Sequence, residues 1–360
     1  MPESGRRTLP LRPRQFTRGH EAITEAITAL RATQAEEQAA QRRRQRIRRV
    51  CRVLIALYAA WLVKSWNDKT LTRHWGSRRA ALVLGSICKW ALAACGVSLT
   101  MAFSGVSDGS WPAAGEVGGR KSGAVFTVAP HGVGTVAMLS LGGPLFRTNP
   151  ALMTYNLRLA GASILFRIPI LRELLLLLGG REATRSTIRS LLADGCCVAV
   201  NPGGIHEQVH TSHRQEAIYA QERLGFVRLA MAAGKPIIPS YCFGENQLFR
   251  TTAALRPLQL WILRKLRIGL PLFSGVLGIP FGPPLPTRCS IVVGHEVSTG
   301  PPNADPSEEQ VEEVFERYCA EIRQIFSEHA HKYLPPEVAA RGLRIERIGS
   351  GVVDVVHARL

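Results

Sequence analysis

The chain has 360 residues, 46% of them hydrophobic, with 45 Lys and Arg against 27 Asp and Glu, a formal net charge of +18. That apolar fraction supports a sizeable core and excludes a chain disordered throughout. The charge calls for an anionic partner, for which nucleic acid, lipid headgroups and an anionic co-substrate all qualify.

Residues 1–49 form a basic region whose first twenty positions are Arg-rich and acid-poor, which leaves an organelle transit segment, plastid import included, as one reading. From 20 to 49 helix formers dominate without Gly or Pro, so a helix is expected. It ends in Arg42, Arg43, Arg44, Arg46, Arg48 and Arg49, directly before an apolar run, as at the cytoplasmic edge of a membrane segment. Nucleic-acid modules interleave aromatics with their cations, and this stretch does not. Residues 50–106 read as a hydrophobic membrane hairpin: a short run from 50 to 63, a polar turn bearing Trp66 and Trp75, and a run from 80 to 103 long enough to span. No cleavable secretion signal is expected, because the first apolar run begins so late. The eight scattered cysteines, Cys51, Cys88, Cys95, Cys196 and Cys197 among them, suit buried free thiols in a reducing compartment.

Residues 107–123 form a Gly-, Ser- and Pro-containing linker. Beyond it, short apolar runs at 124–129, 196–200, 236–239 and 290–293 predict buried strands, and helical patterns at 170–178, 183–192 and 223–233 separate them. Such alternation predicts an α/β domain over 124–335 with a largely parallel sheet flanked by helices. Ser307 is placed to cap a last amphipathic helix ending near His331, and 336–360 is expected to be a tail.

Two segments follow predicted strands directly. In Ala129-Pro130-His131-Gly132 a histidine at a strand end, beside glycine, suits a general base. In Asn201-Pro202-Gly203-Gly204-Ile205-His206-Glu207 the paired glycines let backbone N–H groups approach an oxyanion, and Glu207 can orient a histidine. Each segment taken alone is also an ordinary strand-to-loop turn. His206-Glu207-Gln208-Val209-His210, with His213 nearby, also fits the H-E-x-x-H zinc pattern of a metal-dependent hydrolase, a minor reading because Pro-Gly-Gly immediately precedes it. Gly105-Val106-Ser107-Asp108-Gly109 fits a nucleophile elbow in pattern but lacks the strand-turn-helix context. Residues 255–281 mix apolar side chains with Arg256, Arg264, Lys265 and Arg267, which fits a segment at a bilayer interface as well as a buried helix and loop.

Five segments in order from 124 to 332 resemble the type-2 diacylglycerol acyltransferase family, which includes monoacylglycerol and wax-alcohol acyltransferases. They are Pro130-His131-Gly132, Pro169-Ile170-Leu171-Arg172-Glu173, Gly203-Gly204 with Glu207, Arg223 to Arg228, and Pro239 to Asn246. The resemblance implies a glycerolipid-acyltransferase-like catalytic domain facing the cytosol behind an N-terminal membrane hairpin, in the endoplasmic reticulum membrane or on a lipid droplet. It implies acyl-CoA as co-substrate, an acylglycerol acceptor, diacylglycerol first, and no metal or redox cofactor. Bilayer contact and a homo-oligomer are expected, and nucleic acid is not. His131 is the implied base, Glu207 its first candidate acidic partner with Glu245 second, and Gly203 and Gly204 the oxyanion donors. Substrate contacts are expected from Pro130, Gly132, Asn201, Phe243, Glu245 and Asn246, and CoA phosphate contacts from Arg172, Arg223 and Arg228. The family commonly has His-Pro-His-Gly, and here Ala129 replaces the first histidine. That departure makes a catalytically silent lipid-binding protein on the same scaffold the other alternative.

Overall fold

The computed structural model describes residues 14–66, 78–104, 116–117, 120–121, 123–142, 157–168, 170–266, 269–348 and 353–356. The chain divides into two units, 1–68 and 69–360. In the first, one 53-residue helix, α1 (Arg14–Trp66), carries the expected basic helix straight through the apolar run at 50–63, so that run is its last third and not a separate arm. The turn of the expected hairpin, the Ser107 elbow and Pro169 lie outside the described residues.

The second unit opens with α2 (Arg78–Ala94), which stops well short of Phe103. Gly96 at φ 76° turns the chain, and β1 (Ser98–Phe103) follows. The expected spanning run from 80 to 103 is therefore helix as far as Ala94 and strand from Ser98. Thr100 Oγ1 meets Ser290 Oγ at 2.8 Å across β1's ladder, and the segment belongs to the central sheet. Among the described residues no helix is long and apolar enough to cross a membrane.

The chain continues through β2 (Val125–Ala129), α3 (Val136–Gly142), β3 (Leu157–Gly161), α4 (Leu171–Leu177), β4 (Gly180–Glu182), α5 (Arg185–Ala193) and β5 (Cys197–Val200). Next come α6 (Gly204–His210), β6 (Glu216–Ala220), α7 (Gly225–Ala233), β7 (Ile237–Phe243) and α8 (Arg256–Leu266). The last elements are β8 (Arg288–Val293), α9 (Glu308–Tyr333), α10 (Pro336–Ala339), β9 (Leu343–Arg347) and β10 (Val353–Val356). Seven strands form one sheet in the order β1-β8-β7-β2-β5-β3-β4, parallel at every pairing except β8 with β7.

Both faces of this sheet are covered, which is why its central strands read as unbroken apolar runs. Val125, Val198 and Tyr241 face a core shared with α5, α7 and α9, and Phe126, Ala199 and Cys242 face one shared with α2 and α3. On α9, Val311, Val314, Phe315, Tyr318 and Ile322 form the buried stripe of an amphipathic helix. Ser307 caps it as expected: its Oγ accepts the Gln310 N–H at 3.3 Å while Gln310 Oε1 accepts the Ser307 N–H at 3.0 Å.

Within the expected tail, the described residues 336–348 and 353–356 are ordered into elements. β9 runs parallel to β6 in a second sheet and pairs with β10, and its Leu343 is fully buried. The thiols split as well: Cys196, Cys197, Cys242, Cys289 and Cys319 are buried, but Cys51 and Cys88 are exposed, against expectation.

Candidate active site

Parallel strands deliver their carboxyl ends to one edge of a sheet, where ligand sites form. β2 lies between β7 and β5, so the loops after these three strands, 130–135, 201–203 and 244–246, meet at that edge. This adjacency brings together motifs about 70 and 110 positions apart in sequence.

His131 follows the cis Ala129–Pro130 bond and is 9% exposed. Its Nδ1 lies 3.0 Å from the carbonyl oxygen of Gly132. A carbonyl only accepts, so Nδ1 carries the proton and Nε2 presents the lone pair. Burial holds the imidazole below its usual 6.5, opposed by the backbone hydrogen bond to Gly132, so it is neutral at pH 7. Gly132 is required here: at φ 63° it sits where a Cβ would meet Glu245 Cγ at 2.5 Å.

Glu207 is buried as expected of a site carboxyl, but it addresses the main chain of His131 and not the ring: its Oε1 accepts the His131 N–H at 2.7 Å. Gly132 therefore sets the tautomer, and Glu207 fixes the loop. The Glu207 Oε2 has no well-aligned donor, although the amides of Tyr219 and Gly203 stand close enough to favour its charge. Burial outweighs these amides and pushes the carboxyl up to about 8. Glu245 plays a parallel part. Its two oxygens accept the N–H groups of Val136 and Ala137 at 2.9 and 2.8 Å, tying the start of α3 to the end of β7, and burial raises it to about 7.

The two glycines do not serve as expected. Gly204 N–H donates to the Asn201 carbonyl at 3.1 Å and is engaged within the loop, whereas Gly203 N–H stands beside the Glu207 carboxyl without a well-aligned hydrogen bond. Asn201 Nδ2 donates to the Val128 carbonyl at 2.6 Å and staples β5 to β2 beneath His131. Pro130 is buried in the same turn.

The outer candidates disperse. Phe243 is fully buried, with ring centroids 4.7 Å from Tyr241 and 5.5 Å from Tyr333, and belongs to the core under α9. Asn246 donates to buried Glu216 at 3.2 Å. Arg228 is spent on the Arg223 and Pro306 carbonyls and on Glu308, joining α7 to the start of α9, while Arg223 lies exposed beside it. Arg172 is buried and paired with Glu173 at 3.3 Å. None of the three guanidiniums is hydrogen-bonded to the His131 loop. In the zinc pattern, His210 Nδ1 faces the His206 carbonyl at 2.8 Å and His213 Nδ1 accepts the Thr251 N–H at 3.1 Å. Among the described residues no group of three or more His, Cys, Asp or Glu converges to hold a metal ion.

Two polar groups were not singled out in the sequence. Gln208 Nε2 donates to the Val133 carbonyl at 2.7 Å, so α6 grips the His131 loop twice, through Glu207 and Gln208. Glu216 accepts from Tyr241, Asn246 and Gln247, and burial raises its carboxyl. A lone Glu in a five-residue alternating strand carries no signal of such a role.

Comparison with known proteins found one solved structure and several sequence relatives. The Thermotoga maritima 1-acyl-sn-glycerophosphate acyltransferase PlsC crystal structure aligns over 77% of this chain and 98% of its own, with a TM-score of 0.40 at 14% identity. Diacylglycerol O-acyltransferase 1 of Eremothecium gossypii is 29% identical over 177 residues, 47% of this chain and 38% of that one. The human 2-acylglycerol O-acyltransferase 3 is 32% identical over 196 residues, 50% of this chain and 55% of its own. Bovine diacylglycerol O-acyltransferase 2 matches at 25% over 80% of this chain and 78% of its length. The first two of these relatives are thus matched over only 38% and 55% of their length. The diacylglycerol acyltransferase family model covers residues 47–340, and the chain belongs to that family.

Proposed function

We propose that this protein transfers a fatty acyl group from acyl-CoA to the hydroxyl of diacylglycerol, forming triacylglycerol. One observation carries the reading: a neutral, nearly enclosed imidazole whose Nδ1 is committed to a carbonyl and whose Nε2 is therefore a base. Nε2 takes the acceptor's hydroxyl proton as that oxygen attacks the thioester carbonyl. The tetrahedral oxyanion collapses, the C–S bond breaks, and the proton leaves with CoA as its thiol. No covalent enzyme intermediate, metal or redox cofactor is needed.

Since Gly204 N–H is engaged and Gly203 N–H is turned to the Glu207 carboxyl, the oxyanion donors in this reading are the amides of Gly132 to Thr135, which have no hydrogen-bond acceptor among the described residues. A well-aimed donor of this kind is worth about 3 kcal/mol. Ala129 is fully buried at the end of β2, so no side chain there replaces the family's first histidine, and His131 acts alone as base. The Arg-rich apolar end of α1 supports residence at a membrane with the catalytic unit on its cytosolic side, at the endoplasmic reticulum or a lipid droplet. Similarity to 2-acylglycerol O-acyltransferases supports monoacylglycerol as the second acceptor.

The test is transfer from labelled acyl-CoA to a panel of acceptors, using membranes that contain the wild type, His131→Ala or His210→Ala. Labelled triacylglycerol from the wild type and His210→Ala, but not His131→Ala, is expected. No labelled product with any acceptor would sink the reading, and dependence on His210 would reopen the metal-dependent one.

A further inference from the structure

The excursion from 250 to 283 shows a feature that catalysis at His131 does not use. α8 buries only Gln259 and Leu263 and turns Leu258, Trp261 and Leu266 to solvent, Trp261 54% exposed. The following loop exposes Leu277 (92%), Ile279 and Phe281, with Leu277 and Phe281 at φ 57° and 54°. A non-glycine residue in this left-handed region is costly, and here two large apolar side chains adopt it in a loop that presents them to solvent. Both prongs hang from one two-stranded ribbon, Arg250–Thr251 against Phe273–Ser274, reinforced by Thr252 N–H to the Leu272 carbonyl at 3.2 Å.

Charge identifies what covers them. No Asp or Glu falls between Glu245 and Glu296, whereas Arg250, Arg256, Arg264, Lys265, Arg267 and Arg288 all do. Arg264 and Lys265 are exposed on α8 itself. Protein interfaces deplete lysine and pair their cations with acids of both partners. An apolar face with Trp and Leu, on a segment whose own charges are all cationic, matches the boundary of an anionic bilayer.

We propose that α8 and the 277–281 loop insert into the surface of an anionic lipid bilayer, a contact separate from the N-terminal helix. The contact backs onto the site. Gln259 Nε2 donates to the Leu270 carbonyl at 2.8 Å, and a Cβ at Gly269 would meet Gln208 Oε1 at 2.5 Å, so the prong rests on α6, which holds the His131 loop. The inference rests on the acyltransferase reading only for its purpose, which is to place the base where a lipid acceptor arrives from the leaflet.

The experiment uses the full chain with p-benzoylphenylalanine in place of Leu277, Trp261 or, as control, Glu313 on the outer face of α9. Each variant is irradiated on phosphatidylcholine vesicles with or without labelled phosphatidylserine. Lipid adducts at positions 277 and 261, absent at 313 and reduced severalfold in Arg264→Glu/Lys265→Glu, are expected. Equal yields at all three positions, no adducts, or adducts to a second copy of the chain overturn the proposal. Acyl transfer by the wild type on the same vesicles separates the two readings. Transfer without adducts defeats this surface alone, and adducts without transfer defeat the acyltransferase reading alone.

Discussion

The base proposed at His131 must be neutral to act, and burial moves its protonation step below 6.5. Activity should therefore rise with pH along a limb centred below 6.5 and stay high through neutrality, read as kcat/KM in a pH series; a limb centred above 7 would contradict this assignment. Glu207 has the opposite linkage. Its folded value of about 8 lies above an ordinary 4.5, so the folded state holds a proton that the unfolded chain has released. Stability is then lost as pH rises from about 4.5 to 8, at up to about 1.4 kcal/mol per unit. Glu207→Gln keeps an oxygen for the His131 N–H and should flatten that slope in thermal melts at pH 5 and 8. Gly132→Ala must move either φ 63° or the Glu245 side chain, and a loss of rate exceeding tenfold in a folded protein is expected. The sequence put His131 and Glu207 each after a predicted strand, and the family resemblance suggested pairing them. It did not show that the carboxyl meets an amide and not the ring, since that depends on a turn of two residues.

At the scale of elements, strands with continuous apolar runs were legible, including β2, β5, β7 and β8, and so was α9 with its Ser307 cap. β3, β4 and β6 were not: LRLAG, GRE and EAIYA mix charge or glycine with apolar residues, and their pairing is decided by neighbours far along the chain. The run from 80 to 103 misled because hydropathy does not separate a membrane helix from a helix followed by a core strand; Gly96 is the break. The arginines misled differently, since guanidinium suits carbonyls and carboxylates as well as phosphate. Arg228 lies in the contact between α7 and α9, its side chain 28% exposed and that of Glu308 83%. Arg228→Ala should cost about 1 kcal/mol or less and leave the KM for acyl-CoA within twofold of the wild type. A tenfold rise in KM would restore it as a CoA contact.

For the whole molecule, strand order is what sequence could not supply. Order decides that the loops after β2, β5 and β7 share one edge, and that β9 and β10 join β6 in a second sheet. Without β9, β6 loses its parallel partner, and the buried faces of Leu343 and Ile345 are lost with it. Burying two such side chains contributes about 3–6 kcal/mol, a large share of the roughly 5–15 kcal/mol that keeps a domain folded. A stop after Ala340 should therefore unfold or aggregate the catalytic unit, although every residue of the His131 site remains. A stop after Ile348 keeps β9 on β6 and gives up only β10, so it should retain a cooperative melt a few degrees lower. The comparison is made on purified full-length and truncated chains by thermal unfolding. If the shorter chain melts at the full-length temperature, the segment after 340 is a dispensable tail.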